Sequence, residues 1–113
     1  MSASPVEITS VNVEALLSYC INNCEVLLVD FYAPWCGPCK QMEAPLERLA
    51  ASGAASVVKI NGGSEDAGVA TAVDRVMSAY RVTAFPTILV FKQKILVQTV
   101  VGANLAQLMA AIA

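Results

Sequence analysis

The chain reads as an α/β protein, a central mixed sheet of about five strands flanked by about four helices in the order β-α-β-α-β-α-β-β-α. Three observations carry this prediction. Apolar residues switch repeatedly between short continuous runs and helical spacing. One run, Val26 to Tyr32, is too continuous to lie half exposed and reads as a buried central strand. The last two strand-like runs stand close enough to pair as a hairpin. Short strand-helix-strand units demand parallel pairing with helices on both faces, and the hairpin adds antiparallel strands.

Taken in order, Val6 to Ile8 opens as a short strand. Val13, Leu16, Leu17, Cys20, Ile21 and Cys24 then recur at helical spacing behind Asn12, which is placed to cap the helix. The central strand follows, and after Cys36 a second helix carries Met42, Leu46 and Leu49 on one face. Pro45 is expected to kink it, because its missing N–H breaks the ladder. Val57 to Ile60 is the next strand. Ser64 is placed as the cap of a third helix with Glu65 and Asp66 in the first turn and Val69, Val73, Val76, Met77 and Tyr80 on its inner stripe. Thr87 to Phe91 and Ile95 to Val101 form the hairpin, joined through Gln93-Lys94 in place of the usual Asn-Gly pair, so the turn type stays open. Leu105, Leu108, Met109 and Ile112 line a final helix.

Length and composition bound the function. At 113 residues the chain is expected to be one domain, 1–113, with room for an ordinary core. It is 57% hydrophobic with mean hydropathy +0.61, yet no apolar run approaches the roughly 18 residues needed to cross a membrane. A net charge of -2 leaves no basic footprint, so nucleic acid is not an expected partner. The absence of histidine removes His-based general base catalysis and His-containing zinc sites. With Met1 as the start, the first residues have no basic and apolar leader, so a reducing compartment, most simply the cytosol, is the expectation.

The chemistry concentrates in Trp35-Cys36-Gly37-Pro38-Cys39-Lys40, at the junction of the central strand and the second helix. A pair of cysteines so placed lets one sulfur attack a disulfide while the other finishes the exchange. Cys36, at the mouth of the helix, sits where free N–H groups and the helix dipole favour a thiolate, and is read as the nucleophile. Cys39, one turn further in and more shielded, suits the resolving role. The bland alternative is a buried thiol pair without turnover. Asp30 is a carboxylate within an apolar strand, and burial without a partner would hold it neutral near pH 7 and able to move protons. Its alternative is an exposed strand-end acid.

The string Val29-Asp30-Phe31-Tyr32-Ala33-Pro34-Trp35-Cys36-Gly37-Pro38-Cys39-Lys40, followed by Pro45, Lys59, Phe85-Pro86-Thr87, Phe91-Lys92 and Val101-Gly102-Ala103, resembles the thioredoxin family over nearly the whole chain. The resemblance implies the thioredoxin fold and a protein-disulfide reductase that cycles between a Cys36/Cys39 dithiol and a Cys36–Cys39 disulfide. It implies that Asp30 is the acid/base assisting Cys39 through water and that Lys59 is its charge neighbour, against the alternative of a solvated lysine. It also implies a cis Phe85–Pro86 bond, with Trp35, Gly37, Pro38, Phe85, Pro86, Thr87, Gly102 and Ala103 rimming a shallow substrate groove, against ordinary core packing for Trp35 and Phe85. The Gly37-Pro38 pair accompanies reducing members of the family, since no histidine precedes Cys39 to stabilise the dithiol state.

The same resemblance implies no bound cofactor or metal, electrons from NADPH through the flavin (FAD) of a thioredoxin reductase, and recipients such as peroxiredoxin, ribonucleotide reductase and methionine sulfoxide reductase. Electron transport in cell redox homeostasis, by a cytoplasmic monomer, is the expected setting. Two other readings stand beside it: a non-catalytic binding or scaffold module using the same groove, and a specialised redoxin reduced by a glutathione-type donor. Cys20 and Cys24 read as core, since four residues apart in an intact helix they should not bond each other. A regulatory Cys24 and a four-thiolate zinc site with Cys36 and Cys39 are the sharper options, the second opposed by the extended strand between the pairs. The segment from Asn61 to Met77 is longer than usual for the family by about eight residues, roughly two helical turns, and opens with Asn61-Gly62-Gly63, which bears on partner choice.

Overall fold

The computed structural model describes residues 3–113. Five strands form one sheet in the order β1-β3-β2-β4-β5. They are β1 (Val6–Ile8), β2 (Val26–Tyr32), β3 (Ser56–Asn61), β4 (Thr87–Lys92) and β5 (Ile95–Val101). The helices are α1 (Val13–Asn23), α2 (Gly37–Ala51), α3 (Ala67–Ala79) and α4 (Leu105–Ile112). β1, β3 and β2 run parallel through helical crossovers, while β4 lies antiparallel to both β2 and β5. This is the expected order and mixed pairing, and Pro45 stands inside the 15-residue α2.

Alternation along β2 decides what faces what. Leu27, Val29 and Phe31 pack with Val13 and Leu17 of α1, Val73 and Val76 of α3, and Val58 and Ile60 of β3. Leu28, on the opposite face, meets Met42, Leu46 and Leu49 of α2 and Leu108 of α4, together with Val57, Ile88, Val90 and Val100. Both faces of the central strand are therefore buried, which is why its sequence shows no polar alternation. The even-numbered positions put Asp30 on the α2 side, the same side as the helix that begins with the cysteines.

Several local expectations are corrected. Asn12 precedes α1 but makes no capping bond; its own N–H is held by Ser10 Oγ at 3.0 Å. Asp66, not Ser64, caps α3, accepting from the Val69 N–H at 3.0 Å, while the Ser64 hydroxyl accepts from the Asp66 N–H. A carboxylate two residues nearer the helix captures the orphan donors, and the serine closes the preceding turn. Leu16, Leu105 and Met109 are exposed, because α1 and α4 each bury a narrower stripe than their composition offers. Cys24 lies just past the end of α1 in extended backbone, with Cys20 buried one turn before it.

The β4–β5 turn is resolved. Gln93 (φ 50°) and Lys94 (φ 71°) are both left-handed, the pattern of a type I′ hairpin turn. Neither residue suits that region, which costs an ordinary side chain about 1–2 kcal/mol. The Gln93→Asn/Lys94→Gly double variant is expected to stabilise the fold by about 1 kcal/mol, after the larger unfolded-state entropy of glycine is subtracted. An unchanged urea midpoint would contradict this.

Candidate active site

Cys36 and Cys39 are bonded to each other, their Cα atoms 5.4 Å apart. The geometry follows from the strand-to-helix junction. Cys36 is the residue before α2, with extended backbone (φ -89°, ψ 110°), and its N–H donates to the Ala33 carbonyl at 3.1 Å. Pro38, in the first turn of α2, removes one of the N–H groups that would otherwise lack a partner there. The Cys39 N–H donates to the Cys36 sulfur at 3.2 Å, so the sulfur itself serves as the helix cap. Negative charge on Cys36 would meet that donor and the positive end of the helix. Exposure does not separate the two: Cys36 is 6% exposed and Cys39 5%, so the greater shielding expected of Cys39 is not seen. Their position on the helix distinguishes them.

Around the pair, Ala33 and both cysteines form a small apolar cluster against Tyr32 and Phe85. Trp35 is 75% exposed, which removes the core-packing alternative for it, and stands edge-on to Phe85 at 5.8 Å between ring centres. Phe85 is half-buried and bridges the sulfur cluster and the α1/α3 core. The Phe85–Pro86 bond is cis, and the Thr87 hydroxyl donates to the Ala84 carbonyl at 2.7 Å. Gly102, left-handed at φ 85°, donates its N–H to the Pro86 carbonyl at 2.8 Å, tying the loop after β5 to the same edge. Ala103 follows on the exposed side of this loop. Trp35, Phe85 and Gly102 are thus brought together as a shallow surface, whereas Pro86 and Thr87, expected on its rim, are buried beneath it. A concavity of about 440 Å³ lies on the flank of α2, between Pro5, Glu43, Glu47 and Lys59, and includes neither sulfur.

Asp30 is 2% exposed, and among the described residues its Oδ1 has no hydrogen-bond partner. Loss of hydration is the main cause that lifts its carboxyl from the usual 3.8 to about 7; Lys59, beside it on β3, pulls the other way, and Glu7 and Glu43 add to the rise. The exposed-acid alternative for Asp30 is therefore excluded. The Lys59 ammonium lies over the Tyr32 ring, 4.5 Å from its centre, and so is not a simply solvated lysine. Cys20 and Cys24 precede β2, whereas Cys36 and Cys39 follow it. Seven extended residues separate the pairs by about 23 Å, so they do not share one metal site.

One part of the site was missed in the sequence. The Asn61-Gly62-Gly63 loop, read only as a departure affecting partner choice, forms the floor under the aromatic rim. A Cβ at Gly62 would collide with the Phe85 ring and approach the Met77 sulfur to 3.2 Å; one at Gly63 would sit 3.3 Å from the Trp35 indole nitrogen. The Gly62 N–H extends the β2–β3 ladder by donating to the Tyr32 carbonyl at 2.7 Å. The available signal was the paired glycines at a strand end, which mark close approach by another group. Gly62→Ala is expected to cost about 1–3 kcal/mol of stability through overpacking. Displacing Phe85 should also raise KM for a protein disulfide while reaction with a small dithiol is kept. Denaturation and steady-state kinetics check both.

Comparison with known proteins agrees with this geometry. The family model described as Thioredoxin matches residues 7–113. A thioredoxin of Pyropia yezoensis is 36% identical over 85 residues, 74% of this chain and 72% of the relative. A thioredoxin of Staphylococcus aureus is 43% identical over 79 residues, 68% of each chain. The solved structure of a mutant thioredoxin from Halobacterium salinarum superposes with a TM-score of 0.80 at 31% identity, covering 99% of this chain and 91% of that one. With a bonded cysteine pair at the head of α2 and a buried acid on the strand beneath that helix, this chain belongs to the thioredoxin family and is a dithiol-disulfide oxidoreductase.

Proposed function

We propose that this chain is a general protein-disulfide reductase, working as a one-domain cytoplasmic monomer in electron transport and cell redox homeostasis. The observation that carries it is Cys36 as the cap of α2, its sulfur accepting the Cys39 N–H and bonded to Cys39. In the reducing direction, the Cys36 thiolate attacks one sulfur of a target disulfide. A Cys36–target bond forms, the target S–S bond breaks, and the departing thiolate takes a proton. Cys39 then loses its proton to Asp30, through water, and attacks the Cys36 sulfur. The Cys36–Cys39 bond forms and the second target thiolate leaves. The target gains two electrons from the chain and two protons, one handed on from Asp30, which returns to the carboxylate, and one from solvent.

Trp35, Gly37, Pro38, Phe85, Gly102 and Ala103 present an edge to an extended target segment, whose main chain pairs with the Phe85 backbone, while Pro86 and Thr87 support that edge from beneath. Lys59 tunes Asp30. NADPH, through the FAD of a thioredoxin reductase, restores the dithiol. Peroxiredoxins, ribonucleotide reductase and methionine sulfoxide reductase are the target classes, and disulfide-containing proteins as a class follow from the family itself.

The test is NADPH-coupled reduction of insulin disulfides with a generic thioredoxin reductase, run beside Cys36→Ser. Turnover by the intact chain that is abolished in Cys36→Ser is the expected result. Absence of turnover from a chain whose dithiol titrates normally would overturn the reading, in favour of a dedicated donor or a binding module.

A further inference from the structure

The sheet places a row of charge beneath α2. Parallel register sets Glu7 of β1 beside Lys59 of β3, and Lys59 beside Asp30 of β2. Two residues along β2, on the face shared with Asp30, Tyr32 reaches back over this row. Its ring carries the Lys59 ammonium at 4.5 Å, and its hydroxyl donates to Glu7, 2.7 Å from each carboxylate oxygen. One aromatic side chain therefore holds both a cation and the anion that competes for it. The Tyr32 hydroxyl is kept protonated, since burial first and the Glu7 bond second push its pKa above the ordinary value.

From this arrangement we infer that Glu7 and Tyr32 are positioning residues that set the ionisation of Asp30, Glu7 by its own charge and by competing for Lys59, Tyr32 by its hold on Glu7 and Lys59. The inference deepens the proposed function and rests on Asp30 being the group that takes the proton of Cys39. Among the described residues, the charged and titratable groups facing Asp30 are Lys59 from β3, Glu7 from β1, Glu43 from α2 and Tyr32 on β2 itself; opposite Asp30 on β4 stands Ile88. Of these, Lys59 favours the carboxylate, whereas Glu7 and Glu43 oppose it. A Glu7 left without its hydroxyl donor would draw the Lys59 ammonium toward β1 and away from Asp30. Tyr32 prevents this by occupying the Glu7 carboxylate and seating the ammonium on its ring. The two residues thus have opposite effects, and the effect of the hydroxyl passes through Glu7.

The experiment follows the Asp30 carboxyl ¹³C resonance against pH in the oxidised chain, for wild type, Glu7→Gln, Tyr32→Phe and the double variant. Glu7→Gln should lower the Asp30 midpoint by about half a unit, the size expected for a charge about 10 Å away across two strand spacings. Tyr32→Phe keeps the ring and removes the hydroxyl, and should raise the midpoint; in the Glu7→Gln background it should do nothing further. Glu7 is exposed and Tyr32→Phe is conservative, so the variants retain the fold. Glu43→Gln, which also lowers the midpoint, should do so equally with or without the Tyr32 hydroxyl.

Midpoints unmoved by both single variants, or a Tyr32→Phe shift that persists without Glu7, would overturn the inference. The pH profile of mixed-disulfide resolution is measured alongside. If the carboxyl midpoints move as described and the rate profile does not follow, the positioning role stands and the proton-transfer role of Asp30 in the proposed function fails.

Discussion

Asp30→Asn will stabilise the protein at pH 8 by roughly 4 kcal/mol and leave it nearly unchanged at pH 4, while slowing disulfide exchange. The sign follows from linkage. The folded-state carboxyl titrates near 7 instead of the ordinary 3.8. Below 3.8 both folded and unfolded states hold the proton, and the favourable contribution of the native state is fully present. Between 3.8 and 7 the unfolded chain ionises while the native state resists, and by pH 7 and above the native state must bury a charge. A gap of about 3 units at 1.36 kcal/mol each sets the upper size of the effect. Asn keeps the volume and carries no charge, so it escapes this cost. Urea midpoints at the two pH values measure the difference, and equal gains at both would contradict it. At neutral pH the same variant, without the proton acceptor proposed for Cys39, should slow resolution of the mixed disulfide on the order of a hundredfold, the low end for general base catalysis.

Cys39→Ser is expected to stop turnover after one attack, leaving one equivalent of target bound per chain. Cys36 keeps its extended backbone at the head of α2 and the Cys39 backbone N–H, since neither depends on the side chain at position 39. The variant should therefore still cleave a target disulfide, but without a second sulfur the mixed disulfide persists until an outside thiol releases it. Mass spectrometry of the reaction with a disulfide peptide reads this directly: an adduct of chain plus peptide thiol, cleared by dithiothreitol. The reciprocal Cys36→Ser chain should give no adduct. Equal adducts from both variants would mean that helix position does not set the order of attack.

Much of this was legible without coordinates, for a local reason. Periodicity belongs to neighbouring residues, so the nine elements fell in their expected order, and Val26–Tyr32 was recognisable as a central strand because no polar residue but Asp30 interrupts it. That one acid in an apolar run, two cysteines spaced by one helical turn and the strand-helix junction between them are local facts too, and they specify thiol-disulfide chemistry. Helix starts were less legible, because Ser64 and Asp66 compete for the same orphan N–H groups and two residues of displacement exchanges one cap for the other.

What only the tertiary structure decided is which distant residues meet. That Gly62 lies against Phe85 depends on β3 ending beside the loop that leads into β4, segments more than twenty residues apart. That Trp35 stays exposed, with Phe85 beneath its edge, depends on what else fills the α1/α3 core. The row Glu7, Lys59, Asp30 exists only because two parallel pairings, each closed through a helical crossover, bring three strands into one register. The sequence by itself determined the chemistry at the head of α2, because adjacent residues carry it. The surroundings of this chemistry come from register and packing across the sheet, which no local pattern encodes.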